Sequence, residues 1–185
     1  MSAVERALSV SGVALPPPPG APAGEKPKPV WYRLGYGGKD PLRPHPGESS
    51  YGNRTWTCDC SGFVAWCLGT PRHNKDFPHW GGSISTDSIV EASDSKTGWF
   101  SRPETPNPGD LVVYPGRYLL GVRVGVGHVG LIVAVDPGFV SLGSTPQSLR
   151  VVHCSMGHQK SKGFAIALDD ASPWRKRGRV VRYLR

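Results

Sequence analysis

No apolar run in this chain approaches the ~20 residues of a membrane-spanning helix, so no membrane partner is expected. The N-terminus lacks the basic flank and long apolar stretch of a secretory signal. The expectation is a cytoplasmic protein, or one that leaves the cell without a cleavable signal. Cysteine is scarce, with four in 185 residues. A domain of this size does not need disulfide staples, and Cys67 falls on an apolar stripe where a buried free thiol is common. Acidic residues are also few, 14 against 22 lysines and arginines. That balance implies an anionic partner. No zinc-finger, recognition-helix or aromatic-and-basic sheet pattern accompanies it, so nucleic acid is not the expected partner. No C-x-x-C pair of zinc-site spacing occurs. Cys58, Cys60, His128, His153, Cys154 and His158 supply ligand types but no such pattern, so neither metal nor cofactor is expected. Internal repeats are absent.

Glycine (24) and proline (19) are abundant, and the expectation is one ordered domain with long loops and an arm. Residues 1–29 hold a short apolar segment and the tract Pro16-Pro17-Pro18-Pro19-Gly20-Ala21-Pro22, which favours an extended tether. The domain proper is expected over 30–185. Arg175, Lys176, Arg177, Arg179, Arg182 and Arg185 form a basic C-terminal cluster, read as a solvated edge or as attraction to an anionic polymer.

The most informative stretch is Thr57 to Gly69. From Cys60 onward, Phe63, Val64, Cys67 and Leu68 recur at helical spacing. Asp59 is placed to cap the N-terminus and Gly69 the C-terminus. Cys60 then lies in the first helical turn, where the backbone favours an anion and lowers a thiol pKa. Such a cysteine can serve as a nucleophile. A second helix is expected near Thr86–Ala92, with Thr86 or Asp87 as cap. Strands follow at Asp110–Tyr114, after the turn Asn107-Pro108-Gly109, then at His128–Val135, Arg150–Cys154 and Arg179–Leu184. Helices first and consecutive strands after them indicate an α+β fold with an antiparallel sheet.

A nucleophilic cysteine needs a base and a group to orient it. His128 opens a strongly apolar strand after Gly125-Val126-Gly127. His153 in the next strand can reach it. His158, expected in a loop, is the alternative to His153.

Three blocks in order, Asp59-Cys60-Ser61-Gly62-Phe63-Val64, Pro108-Gly109-Asp110-Leu111-Val112 and Gly127-His128-Val129-Gly130, resemble the NlpC-type cell-wall cysteine peptidases, a papain-like family. Tyr32-Arg33-Leu34-Gly35 and Gly37-Gly38 resemble that family's access loop. The resemblance implies a papain-like fold and a peptidoglycan endopeptidase without cofactor, cutting stem peptides, typically between D-glutamate and the diamino acid. It implies Cys60 as nucleophile, present as a thiolate paired with protonated His128, and His153 as the orienting residue. Tyr32 would shape the oxyanion region. Asp59, Ser61 and Trp80 are candidate substrate contacts, with Tyr36, Trp56 and Trp99 as further aromatics that line the cleft or pack the core. His153 stands 25 positions after His128, farther than the family spacing, and Asp136–Leu149 reads as an inserted loop. Cys58 is an extra thiol that could pair transiently with Cys60. Other readings within reach are a wall amidase, an acyltransferase, a non-catalytic wall-binding module, or a phage lysis or tail-associated hydrolase. A secreted antibacterial effector would act in the periplasm or outside the cell and meet an immunity or inhibitor protein. A monomer is expected.

Overall fold

In a computed structural model, the structure describes residues 1–15, 28–32, 34, 57–95 and 97–185. Helix α1 (Ala3–Val10) is followed by strands β1 (Ala14–Leu15) and β2 (Lys28–Pro29), which pair with each other. β3 (Trp31–Tyr32) runs parallel to β4 (Thr57–Cys58), which leads into helix α2 (Cys60–Cys67). Next come α3 (Thr86–Ser95), β5 (Phe100–Ser101), β6 (Leu111–Tyr114) and the hairpin β7 (Arg117–Leu119) and β8 (Val122–Gly125). The chain closes with β9 (His128–Val135), β10 (Leu149–Cys154), α4 (Met156–Lys162), β11 (Ile166–Asp170) and β12 (Arg179–Tyr183).

Six strands make one sheet in the order β11-β10-β9-β6-β12-β5, antiparallel throughout. The architecture is α+β and compatible with a papain-like fold. Helices α1, α2 and α3 pack on the sheet. Phe63, Val64, Leu111, Val129, Leu131, Val152 and Val181 build the larger core. A second core gathers Val112, Ile132, Leu149 and Val151 under Leu142, Ala171 and Trp174. Alternate residues of β6, β9 and β10 thus enter different cores, so these strands read as nearly continuous apolar runs.

Four local features differ from the sequence expectation. Residues 3–10, assigned to the tether, form a helix with a Ser2–Glu5 capping box. Ala7 and Val10 are buried in the main core, and Arg6 Nε donates to Cys67 O at 2.6 Å, at the C-terminal end of α2. This part of the expected arm therefore belongs to the domain, while the proline tract 16–22 lies outside the described residues. Helix α2 is not amphipathic: only Trp66 is half-buried, because the sheet and α1 cover the remaining faces. The cap of α3 is Ser85, whose Oγ accepts from Ser88 N at 3.2 Å, one residue before the expected pair. Residues 117–125 form a hairpin with exposed apolar side chains, tied to α3 where Gly116 N and Tyr118 Oη donate to Asp87.

The turn before β6 has a structural purpose. Asp110 is buried and accepts two hydrogen bonds from Arg182 at 2.8 Å each, bracing β6 against β12. Arg179 pairs with Asp94, Arg175 donates to Gly143 O, and Arg177 and Arg185 lie over the rings of Tyr114 and Trp99. Most of the basic C-terminal cluster is therefore engaged within the chain. No helix among the described residues is long and apolar enough to cross a membrane.

Candidate active site

Asp59 stands in extended conformation immediately before α2, and its Oδ1 accepts from Gly62 N at 2.8 Å and from Ser61 Oγ at 3.0 Å. Its Oδ2 faces Arg72 NH2 at 2.9 Å. Both members of this ion pair are buried. The pair fixes the first turn of α2, and Cys60 is the first residue of that turn. Asp59 and Ser61, expected to touch substrate, instead cap the helix: each is at most 4% exposed and their polar atoms bond to one another.

The backbone of Val129 and of Ser61 acts on the Cys60 thiol, favouring its anion. Val129 follows His128 in β9, so the thiol lies against the strand end that carries the histidine. The Asp59 carboxylate is also close enough to His128 to draw its pKa upward, against the effect of burial. Tyr32, set beside Cys58 by the β3–β4 ladder, feels the Cys60 and Asp59 charges. Burial first, then those charges, raises its pKa and keeps its hydroxyl protonated. Cys60 and Tyr32 therefore share the N-terminal end of α2, and His128 lies within reach of the Asp59 charge that caps it.

His128 Nε2 and His153 Nδ1 are 2.8 Å apart. The two residues are not directly opposed. His153 faces Gly130, where an added Cβ would come within 3.1 Å of the His153 Cβ. The imidazoles meet on the diagonal, and the missing side chain at Gly130 leaves room for that. Trp174, fully buried, stacks on the His128 ring at 5.1 Å and meets His153 edge-on at 5.0 Å. Its Nε1 also donates to His128 O at 3.3 Å.

Behind His153 stands Asp169, from β11. Its Oδ2 lies 3.5 Å from His153 Nε2 and accepts a very short hydrogen bond from His158 Nε2. Its Oδ1 pairs with Lys162 Nζ at 3.0 Å. His158 is in helix α4 rather than a loop, with its ring 4.2 Å from that of His153. It does not replace His153 as the contact of His128; it braces the carboxylate behind it. Asp169 and Trp174 were not singled out in the sequence. The only hint was an aspartate pair and a Ser-Pro-Trp turn in a segment without helical or strand periodicity.

Burial pushes the Cys60 thiol up to about 12, reinforced by Asp59 and opposed by the backbone of Val129 and Ser61 and by Arg72. Burial, with the field of His158, pushes His128 down to about 4. His153 is lowered further by burial and by its two histidine neighbours. The resting pair is thus thiol and neutral imidazole. Desolvation works against the thiolate–imidazolium pair expected from the sequence and opposes the effect of the helix N-terminus.

Cys58 Sγ is 3.2 Å from Cys154 Sγ, so its thiol neighbour is across the fold and all four cysteines are free. Trp99 is core, packed on Phe77 and Tyr183. Trp80 belongs to a short 3-10 turn, Trp80–Gly82, but its side chain lies outside the described structure, as do Tyr36 and Trp56.

The CHAP-domain family model matches residues 49–144, which include Cys60 and His128 but not His153. No curated protein matches the chain. The chain belongs to the CHAP-domain family, whose domain occurs in peptidoglycan hydrolases and in NlpC/P60-like amidases and peptidases. At the family level it is a peptidoglycan-cleaving hydrolase.

Proposed function

We propose that the protein is a cysteine endopeptidase acting on peptidoglycan stem peptides, with Cys60 as nucleophile, His128 as general base and His153 as the residue that orients it. The observation that carries this reading is the 2.8 Å contact between His128 Nε2 and His153 Nδ1, at a strand end where the backbone of Val129, with that of Ser61, favours the Cys60 anion. Asp169 completes the arrangement as a positioning residue. It favours the His153 tautomer with hydrogen on Nε2, leaving Nδ1 to accept from His128 Nε2–H. His128 Nδ1 is then the lone pair available to the thiol.

Since the resting thiol is protonated, its proton leaves as the carbon–sulfur bond forms. Sγ attacks the amide carbonyl while Nδ1 of His128 takes the proton. Backbone N–H groups at the start of α2 and the Tyr32 hydroxyl stabilise the oxyanion. His128 next protonates the leaving amine, the carbon–nitrogen bond breaks, and a thioester remains on Cys60. His128 then draws a proton from water, the resulting hydroxide attacks the thioester, and Cys60 is regenerated with the acid released.

The bond favoured is the one between D-glutamate and the diamino acid. Digestion of purified peptidoglycan by wild type and by Cys60→Ala, with fragments identified by mass spectrometry, tests the proposal. Cleavage within the stem, absent in the variant, is expected. Whole stem peptides freed from the glycan would make the enzyme an amidase instead, and wild-type digests identical to those of Cys60→Ala would refute hydrolysis by this site.

A further inference from the structure

We propose that His153, His158 and Asp169 form an inhibitory zinc site that switches the base off through its tautomer. The ligating atoms of these three residues all lie within 4.8 Å of one another, the one such cluster of three or more His, Cys, Asp or Glu side chains among the described residues. Two imidazoles and a carboxylate suit Zn²⁺ rather than Ca²⁺ or Mg²⁺, which prefer all-oxygen shells. The 3.5 Å between His153 Nε2 and Asp169 Oδ2 is close to the edge of a zinc tetrahedron, about 3.3 Å for Zn–N bonds near 2.0–2.1 Å.

A second observation points to a ligand. His153 Nε2, on a side chain only 4% exposed, faces the Asp169 carboxylate at 3.5 Å, an electrostatic contact too long for a hydrogen bond, and has no hydrogen-bond partner. His158 Nδ1 is also buried and unsatisfied. Buried polar atoms in native proteins are nearly always satisfied. Asp169 itself is about one-third exposed, which gives an ion a way in and a place for a fourth ligand from solvent. Lys162 holds the other carboxylate oxygen at 3.0 Å. Its charge opposes a dication, which fits reversible rather than permanent occupancy.

The consequence for the reaction follows from proton positions, and it rests on the reading of His128 as base. A neutral imidazole bound to zinc through Nε2 carries its hydrogen on Nδ1. His153 Nδ1–H then donates to His128 Nε2, which must present a lone pair. The single proton of neutral His128 moves to Nδ1, the atom that has to accept from Cys60. The base is occupied without any contact between metal and thiol, and no net charge moves within the His128–His153 pair.

The test is a zinc titration by calorimetry of Cys60→Ala, which removes the thiol as a rival ligand, with Ca²⁺ and Mg²⁺ as comparisons. One Zn²⁺ per chain is expected, with affinity at least ~10-fold weaker after adding His158→Ala, and no comparable binding of the hard cations. Nitrogen-15 spectra of the His128 ring should show its hydrogen moving from Nε2 to Nδ1 as zinc is added. In wild type, wall cleavage should stop at one equivalent of zinc and return with chelator. No binding by Cys60→Ala, equal binding after His158→Ala, or an unmoved His128 proton would each overturn the proposal. These binding and spectral measurements do not require activity, so a failure of the hydrolase reading would register only in the cleavage assay.

Discussion

Replacing Gly130 by alanine should disable the site while leaving every polar residue in place. An added Cβ would sit 2.5 Å from Val151 Cγ1, 3.1 Å from the His153 Cβ and 3.2 Å from Trp174 Cη2. Carbon pairs are comfortable at about 3.5–4.0 Å, so Val151 must yield by about 1 Å and the other two by a few tenths. β9 is paired on both sides, by β6 and β10, and cannot simply withdraw. The His153 Cβ is held in place by the backbone of β10, and Trp174 is packed against both imidazoles. The strain therefore separates His128 from His153, whose contact is 2.8 Å. Overpacking of this kind costs roughly 1–3 kcal/mol, and the melting temperature of a domain this size falls by roughly 2–4 °C per kcal/mol. A displacement approaching 1 Å at the reacting groups costs up to about 100-fold in rate. The assay is initial release of soluble fragments from purified walls at saturating substrate, beside a thermal melt by circular dichroism. Gly138→Ala, where a Cβ meets nothing within 4 Å, is the control. A folded Gly130→Ala protein with wild-type turnover would refute the diagonal packing argument and weaken the role of His153.

Arg72→Met leaves the Asp59 carboxylate buried without its guanidinium, and breaking a buried pair costs about 3–5 kcal/mol. Denaturant unfolding should show that loss, and a change under 1 kcal/mol would mean the pair does not hold the α2 cap. Cys60 should be alkylated slowly by iodoacetamide at neutral pH. A thiol near 12 is protonated below that value, so the rate should rise about tenfold per pH unit from pH 6 to 10. A rate flat between pH 5 and 8 would instead reveal a standing ion pair with His128. Asp169→Asn should lower kcat by roughly 10- to 100-fold with KM unchanged, at or below what a general base contributes, with Asp169→Glu restoring part of it. An equal loss in both, tracking loss of folded protein, would make the residue merely structural.

What could be read in the sequence was what short-range chemistry decides. Asp59 and Gly62 are three residues apart, and the cap that starts α2 is a contact between them. The turn before β6 and the apolar runs of β6, β9 and β10 announce themselves within a few residues. Even the His128–His153 pairing was accessible, because antiparallel neighbours in sequence are usually neighbours in the sheet. The parts not legible are those that exist through distant contacts. β11 is held by its ladder to β10, not by strand propensity, since Ile166-Ala167-Leu168-Asp169-Asp170 contains two aspartates and an alanine. Asp169 reaches the site because β11 pairs beside β10, and Trp174 because the following turn packs on the sheet. α1 likewise gains its order from burial of Ala7 and Val10 and from Arg6 at the end of α2. The same distinction applies to protonation. A helix N-terminus can be read from a dozen residues, and it does favour a thiolate. The burial that overrides it requires the whole core around Cys60, including Val129 and Cys154 from strands 69 or more positions away. Local sequence thus picked out the groups proposed to react, whereas the packed sheet decides the burial around them and which carboxylate stands behind His153.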